Sequence, residues 1–429
     1  MQNGGEAPLD LTIVIAALDE AENLRLLLPL VRSTTTALGL QVEIVIVDER
    51  ADEATRQVSA ENHATLLAPD SRGYGRALWA GLAYARTDFI VTMDADLSHP
   101  ASFLADLWQN RYMADIVIAS RYVPGGQAIM PASRYWLSRI LNLAFGRGLD
   151  LKMYDMSSGF RLYHRRALPE EAPESQDFNV LQELLVKAYI EGFSAYEVPF
   201  RYEPRRSGAS HARVIKFGMA YLRTFGWLWK LRNSIASADY DYRAYATWLP
   251  PQRYWQRQRY RYITKMVQGK GACLDVGCGS SRIIGALPPG SIALDILWRK
   301  LRFDRRFQVD RVQGSILDLP VLSQSFACVL CSQVIEHIPR ANVLDELDRV
   351  LQPGGYLILG TPDYGKWQWL FIEWLYKIIL PQAYADEHIT HYTYAELIAA
   401  FVEQRGYTHL ATHYILQGEL ILEFQKPER

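Results

Sequence analysis

Met93-Asp-Ala-Asp-Leu-Ser-His-Pro100 is the stretch on which the reading of the first half of the chain turns. It closes the apolar run Phe89 to Met93, which predicts a strand ending at Asp94. Two carboxylates, Asp94 and Asp96, then leave the carboxyl end of a strand, where open α/β sheets bind ligands. Carboxylates one residue apart on a turn can hold a hard divalent cation against a diphosphate. Short acidic turns are common, so the pair has to be read with its neighbours.

Working outward, strand-like and helix-like runs alternate. Leu11 to Ala17, Val42 to Val47 and Ile116 to Ala119 predict further strands, and Leu24 to Leu38 predicts a helix. Asp19 is placed to cap that helix, with Glu22 reaching back in a capping box. The second half restarts the alternation. Ala272 to Val276, Ser291 to Leu294, Ala327 to Cys331 and Tyr356 to Leu359 predict strands, the first followed by a glycine turn. Such alternation predicts α/β sheets covered by helices. Between the halves, Arg205 to Lys265 is rich in Arg, Lys, Tyr and Trp, with Asp239 and Asp241 as its only acids. The expected division is a first domain over 8–235, a basic and aromatic linker over 236–251 and a second domain over 252–429.

Several further runs share the order and spacing of one family. Met93 to Pro100, Ile116-Val-Ile-Ala-Ser-Arg-Tyr-Val-Pro-Gly-Gly126, Ser157-Ser-Gly-Phe-Arg-Leu-Tyr163 and Glu197-Val-Pro-Phe200 are four of them. Glu183, taken as preceding a helix, and Arg205 with Gly208 and Ser210 are the others. Together, from about Leu11 to Arg232, they resemble the polyprenyl-phosphate sugar synthases of the family 2 glycosyltransferases. The resemblance implies a GT-A-like α/β sheet that binds a nucleotide sugar. It implies Asp94 and Asp96 as ligands of Mg2+ or Mn2+ and of the diphosphate, with Ser98 near the same ion. Asp48 and Glu20 fall on the nucleotide side, and Arg121, Arg134 and Arg205 around the phosphates. Pro-Thr-Tyr-Asn, usual before Glu20 in that family, is here Ala16-Ala-Leu-Asp19, and Asp-Asp-Gly-Ser is Asp48-Glu-Arg-Ala51. His211 stands where a lysine is common. These departures leave the nucleotide and sugar open.

Leu274-Asp-Val-Gly-Cys-Gly279 places glycines where the backbone could approach a ligand closely. A dinucleotide site wants a third glycine, and that position is Arg282. With Gly314-Ser-Ile-Leu-Asp-Leu-Pro320, Val334-Ile-Glu-His-Ile338 and Leu351-Gln-Pro-Gly-Gly355, the run resembles class I methyltransferases from about Tyr254 to Lys426. The resemblance implies a Rossmann-like sheet that binds S-adenosylmethionine. Asp275, Gly277 and Gly279 would hold its methionine end, Asp295 its ribose, and Ser315 and Ile316 its adenine. His337 is a candidate general base, since imidazole titrates near neutral pH, or a structural histidine. His388 and His391 are rivals for that role or pocket-wall residues.

The expected activity is therefore bifunctional. A hexose passes from a GDP-mannose or UDP-glucose type of donor to polyprenyl phosphate with inversion, and a hydroxyl of the product or a related lipid-linked glycan is methylated. Two alternatives stay open. One is a glycosyltransferase with a non-catalytic cofactor-binding domain; the other is an RNA or small-molecule methyltransferase with a degenerate first domain.

The 429 residues are 49% hydrophobic and 22% charged, with net charge −1, so no global field selects a partner. Cys328 and Cys331 have the spacing of a zinc pair. In a strand, however, residues three apart point to opposite faces, so buried thiols are expected. No run of about 20 uncharged apolar residues predicts a membrane span, and the polar Met1 to Pro8 does not resemble a signal peptide. Val214 to Ile235 interleaves Lys and Arg with Phe, Tyr and Trp, as does an interfacial helix; inter-domain packing accounts for it equally well. Gly365 to Tyr384 is a second candidate. The expected location is the cytoplasm, peripheral on the membrane face. The Arg and Tyr residues of Arg253 to Lys265 could meet RNA, but are read as the first helix of the second domain, so no nucleic acid is expected.

Overall fold

The computed structural model describes residues 8–70, 72–202, 214–340, 342–379 and 388–428. They form two compact units, the chain dividing after Tyr189, Gly192 and Arg232, with Ile190–Gly192 belonging to the second unit.

The first unit is built on seven strands: β1 (Leu11–Ala16), β2 (Val42–Val47), β3 (Thr65–Leu67), β4 (Phe89–Asp94), β5 (Ile116–Ser120), β7 (Arg161–His164) and β8 (Ala195–Pro199). A short ribbon pairs β6 (Gln127–Ala128) with β9 (Arg201–Tyr202). The sheet order is β3-β2-β1-β4-β7-β5-β8. β1 pairs in parallel with β2 on one side and β4 on the other, with Ala16 opposite both Val47 and Asp94. The chain order reverses between β1 and β4, which makes their carboxyl ends a topological switch point. β7 runs antiparallel between β4 and β5. The strands bury almost continuous apolar runs, because helices cover both faces.

The helix after β1 runs Ala21–Ala37 and is capped by Glu20, with no side-chain capping bond. The expected Asp19 and Glu22 capping box is therefore absent. Asp19 instead takes a left-handed φ of 59° and pairs with Arg50. Glu183, expected before a helix, lies inside helix Val180–Ile190.

The second unit carries β10 (Cys273–Val276), β11 (Ile292–Asp295), β12 (Asp310–Gln313), β13 (Phe326–Ser332), β14 (Leu351–Pro362), β15 (Thr408–Ile415) and β16 (Glu419–Gln425). Their order is β12-β11-β10-β13-β14-β16-β15, with β16 antiparallel to both neighbours. This is the Rossmann-like methyltransferase sheet expected above, as the first sheet is the GT-A-like one. Helix Pro250–Val267 leads into β10. Residues 236–251, expected as a linker, contain helix Tyr240–Ala244 and contribute to this unit. All four cysteines are free and buried.

No helix of the described residues is long and apolar enough to cross a membrane. Exposed apolar side chains cluster on three helices. Helix Val214–Arg232 exposes Leu222 and Trp229; helix Trp367–Ile379 exposes Trp367, Leu370, Phe371 and Trp374. The third, Ala132–Gly148, exposes Trp136, Leu137, Ile140 and Leu143, a stripe at helical spacing absent from the sequence reading.

Candidate functional site

In the first unit, Asp94 closes β4 and Asp96 follows after Ala95. Leu97, at φ 63°, turns the chain back, so that the Ser98 amide and hydroxyl both donate to Asp96 Oδ1, at 3.0 and 2.5 Å. A branched side chain in the left-handed region is strained, and such strain persists where a turn is over-determined by its surroundings. The Asp94 amide donates to His99 Nδ1 at 2.9 Å. The other ring nitrogen then carries the proton and stands 3.7 Å from Asp94 Oδ2. The buried His99 ring stacks on Phe160 with centroids 4.8 Å apart. Sequence inspection missed this support, although His99 lies inside the quoted run. Two carboxylates at a switch point, one partly exposed and one buried, suit a divalent cation whose remaining ligands come from a diphosphate and water.

Asp48 directly follows β2 at the carboxyl end of the sheet and is buried. Its oxygens accept from the Arg50 amide at 2.9 Å and the Thr55 hydroxyl at 3.2 Å. Glu20 accepts from the Asn23 amide group at 2.5 Å. Both residues therefore also shape the loops on which they sit.

The remaining motifs meet at the end of β5. Arg121 makes a bidentate pair with Asp155, Nε and Nη2 each 2.7 Å from a carboxylate oxygen, and Nη2 also donates to the Ser157 hydroxyl at 2.8 Å. Burial would lower the Arg121 pKa, but Asp155 carries it above its ordinary value. Glu197 on β8 accepts from the Ser120 hydroxyl and from the amides of Tyr154 and Asp155. Three separate sequence motifs are thus one hydrogen-bonded network. Arg161 is fully buried and donates to the carbonyls of Met156, Ser158 and Leu181, so it holds this loop in place. A cavity of about 200 Å³ lies alongside, lined by Arg121 and Arg134 and by Met130, Leu137, Leu141 and Phe145. Arg134 is exposed. Arg205, His211, Gly208 and Ser210 lie outside the described residues.

In the second unit a cavity of about 370 Å³ opens beside the glycine loop. Gly277, Gly279, Asp295, Ser315, Ile316, His337 and His388 all line it. Asp275 is buried and not on the wall. Asp295 accepts from the Gly279 amide at 2.9 Å and the Leu297 amide at 2.8 Å. Gly277 and Gly279 have φ 68° and 59°. A Cβ on Gly277 would come within 2.4 Å of Val334 Cγ2, and one on Gly279 within 2.6 Å of Asp241 Oδ2. Protein neighbours and backbone conformation, beside any ligand, thus demand glycine at both positions.

Asp241 is a cavity residue that sequence reasoning missed. It accepts from the Ser280 amide at 3.1 Å and from Lys300 at 3.0 Å, which ties helix Tyr240–Ala244 to the loop. The available signal was its position as one of two acids in a long basic stretch. Burial would raise its carboxyl, but Lys300 draws it down to about 2. Asp275 behaves oppositely: burial, with Asp295 nearby, pushes it up to about 7. Asp304 is raised by burial to about 9, and neither of its oxygens has a hydrogen-bond partner among the described residues. A wall that carries Asp295 and Asp241, the latter paired with Lys300, favours a cationic ligand over a diphosphate. The sulfonium and ammonium of S-adenosylmethionine fit this field better than a dinucleotide does.

The family model for glycosyl transferase family 2 matches residues 12–170, and one for a methyltransferase domain matches residues 274–359. Polyprenol monophosphomannose synthase of Mycolicibacterium smegmatis is 30% identical over 249 residues, 53% of this chain and 92% of that protein. A low-salt glycan biosynthesis hexosyltransferase of Haloferax volcanii is 26% identical over 208 residues, 47% of this chain and 49% of that one. Among solved structures, glucosyl-3-phosphoglycerate synthase of Mycobacterium tuberculosis, with Mn2+, UDP and phosphoglyceric acid, is 18% identical at a TM-score of 0.41, covering 52% of this chain and 78% of that one. A methyltransferase from Thermotoga maritima is 19% identical at a TM-score of 0.35, covering 42% and 94%. The protein is a nucleotide-sugar glycosyltransferase fused to an S-adenosylmethionine-dependent methyltransferase. The chain belongs to glycosyl transferase family 2, with a class I methyltransferase domain added in its second half.

Proposed function

We propose that the first unit transfers a hexose from a nucleotide sugar of the GDP-mannose or UDP-glucose type to polyprenyl phosphate, with inversion at the sugar carbon. The observation that carries this reading is the cavity beside β5, which joins two arginines to an apolar wall of Met130, Leu137, Leu141 and Phe145. Arginines suit a phosphate, and the apolar wall suits the first isoprene units. The helix supplying Arg134 and Leu137 also exposes Trp136 and Ile140, which suits peripheral binding at a cytoplasmic membrane face. The name of the mycobacterial relative points the same way.

In this reading Asp94 and Asp96, with Ser98 beside them, hold Mg2+ or Mn2+ against the donor diphosphate, and Asp48 and Glu20 shape the nucleotide side. The ion offsets charge that develops on the leaving diphosphate. A phosphomonoester has a second pKa of about 6, so the acceptor is already a nucleophile near neutral pH and needs no base. Arg121, with Arg134 and Arg205, orients it for in-line displacement.

The second unit, in the same proposal, methylates a hydroxyl of that product or of a related lipid-linked glycan. Asp295 meets the cofactor's ribose, Ser315 and Ile316 its adenine, and Gly277 and Gly279 its methionine end, with Asp275 beneath. His337 is the candidate general base on the cavity wall, with His388 beside it as a rival. The functional boundaries are taken as 8–235, 236–251 and 252–429.

A donor screen with polyprenyl phosphate, with and without S-adenosylmethionine, read by mass spectrometry, tests both halves. A hexose adduct and its methylated form are expected. No adduct with any donor overturns the first half, and an adduct that is never methylated while cofactor binds overturns the second.

A further inference from the structure

Two residues of the wall of the cofactor cavity, His337 and His388, meet the buried Glu336. One ligand atom each from Glu336, His337 and His388 lies within 4.8 Å of the other two. The juxtaposition is built into the backbone. The amides of Ile389 and Thr390 both donate to the Glu336 carbonyl, at 2.8 and 3.0 Å, and the Thr390 hydroxyl donates to the Ile338 carbonyl at 2.6 Å. Residues about 50 positions apart are thereby stitched side by side.

Glu336 is fully buried. One carboxylate oxygen accepts from the Thr361 hydroxyl at 3.1 Å, while the other, Oε1, has no hydrogen-bond partner among the described residues. A buried carboxylate oxygen without a donor is costly unless a proton or a cation meets it, and two imidazoles beside it make a site for the cation. The His388 ring is oriented from behind by the Tyr364 hydroxyl, 2.7 Å from Nδ1. Such a partner is what a metal-binding imidazole ordinarily has.

We propose that Glu336, His337 and His388 hold a divalent transition-metal ion at the wall of the cofactor cavity, and that this ion takes the oxygen of the methyl acceptor. Two imidazoles and a carboxylate suit Zn2+, Fe2+, Co2+ or Ni2+ better than Mg2+ or Ca2+. Ligands at about 2.1 Å from an ion stand roughly 3.4 Å apart in a tetrahedral arrangement. Side-chain rotation of about an ångström at the atoms closes the present spacing to that value. Three protein ligands leave a position for an outside oxygen.

The chemical role rests on the methylation reading given above. A sugar hydroxyl is too weak an acid to ionise unaided near neutral pH, and coordination to a divalent ion lowers its pKa. The hydroxyl proton leaves to water at the cavity mouth. An oxygen lone pair then forms the new O–CH3 bond, and the S–CH3 electron pair returns to sulfur. The sulfonium is neutralised and S-adenosylhomocysteine is left. His337 in this arrangement is a metal ligand rather than a general base.

The test uses tag-free, full-length protein carrying Asp96→Asn, which removes the proposed metal site of the first unit, stripped with chelator and titrated with Co2+. One equivalent of Co2+ with visible d–d absorption bands is expected. Adding Glu336→Gln or His388→Gln should abolish the bands or weaken Co2+ binding by about 10- to 100-fold, with S-adenosylhomocysteine binding retained as proof of a folded cavity. No such bands, or bands unaltered in both variants, overturns the site. Methyl transfer from S-adenosylmethionine to hexosyl-phosphoryl-polyprenol by metal-free protein overturns the ion's part in the reaction and leaves the methylation reading intact. Co2+ held by these residues without any methyl transfer supports the site and overturns that reading instead.

Discussion

Arg50 places one guanidinium nitrogen 2.8 and 2.6 Å from the two carboxylate oxygens of Asp19. Each residue stands in a stretch that departs from the family pattern, one after β1 and one after β2. The departures therefore match each other, and the pair spans the loops that follow β1 and β2, on the side proposed for the nucleotide. Both side chains are more than half exposed, at 61% and 54%, so their pairing contributes under about 1 kcal/mol to stability. Arg50→Ala should leave the melting temperature nearly unchanged and raise KM for the nucleotide sugar several-fold. An unchanged KM with a clear loss of thermal stability would contradict this assignment.

Asp96 is buried and its turn is held by Ser98 and by Leu97 in a left-handed conformation. Asp96→Asn keeps the hydrogen-bonding shape and removes a charge. Glycosyl transfer should fall by about 100- to 1,000-fold, the usual scale for losing one electrostatic contact to a transition state. Methyl transfer to added glycolipid should be unaffected. Equal loss of both activities would mean that the substitution had unfolded the chain.

Arg121 and Arg134 face one cavity but differ in their surroundings. Arg121 is paired with the fully buried Asp155, whereas Arg134 is exposed. Removing one partner of a buried pair leaves an uncompensated charge and costs about 3–5 kcal/mol. Asp155→Asn should therefore lower the melting temperature of the first unit substantially. Arg134→Ala should leave it unchanged and raise KM for polyprenyl phosphate. Calorimetry and steady-state kinetics on the two variants separate a positioning role from a binding one.

Asp275 carries a pH dependence whose direction follows from its surroundings. Its folded pKa of about 7 lies above the ordinary 3.8 because of burial and Asp295. Between those values the folded apo-protein holds a proton that the unfolded chain has released, so the contribution to stability falls as pH rises toward 7 and is level above it. A cationic cofactor favours the ionised carboxylate. S-adenosylmethionine affinity should rise with pH, by up to about tenfold per unit below 7, and flatten above it. Titration calorimetry in buffers of different ionisation enthalpy should show proton release at pH 6 and little at pH 8. Affinity independent of pH over that range would exclude Asp275 from the cofactor's field.

Much of the architecture was legible because it is written locally. β2 runs over Val42–Val47 as expected, and β4 ends on the expected Asp94. An apolar run closed by a turn residue sets a strand's end, whatever it pairs with. The antiparallel β7, inserted between β4 and β5, and the final pair β15 and β16 were not legible, since their places depend on partners far along the chain. The Asp19 cap failed for a related reason: Arg50, 31 residues away, competes for its carboxylate.

The sites divide along the same line. Asp94, Asp96, Gly277, Gly279 and Asp295 stand in compact motifs, and those motifs, read together in order, carry the resemblance to the chain's two families without any knowledge of the fold. Only the tertiary structure joined Arg121 to Asp155 and Glu197, seated Asp241 on the glycine loop, and stitched His388 beside Glu336. Hydrogen bonds of these kinds connect residues some 30 to 50 positions apart, and no local pattern records which distant partner a buried polar group must find.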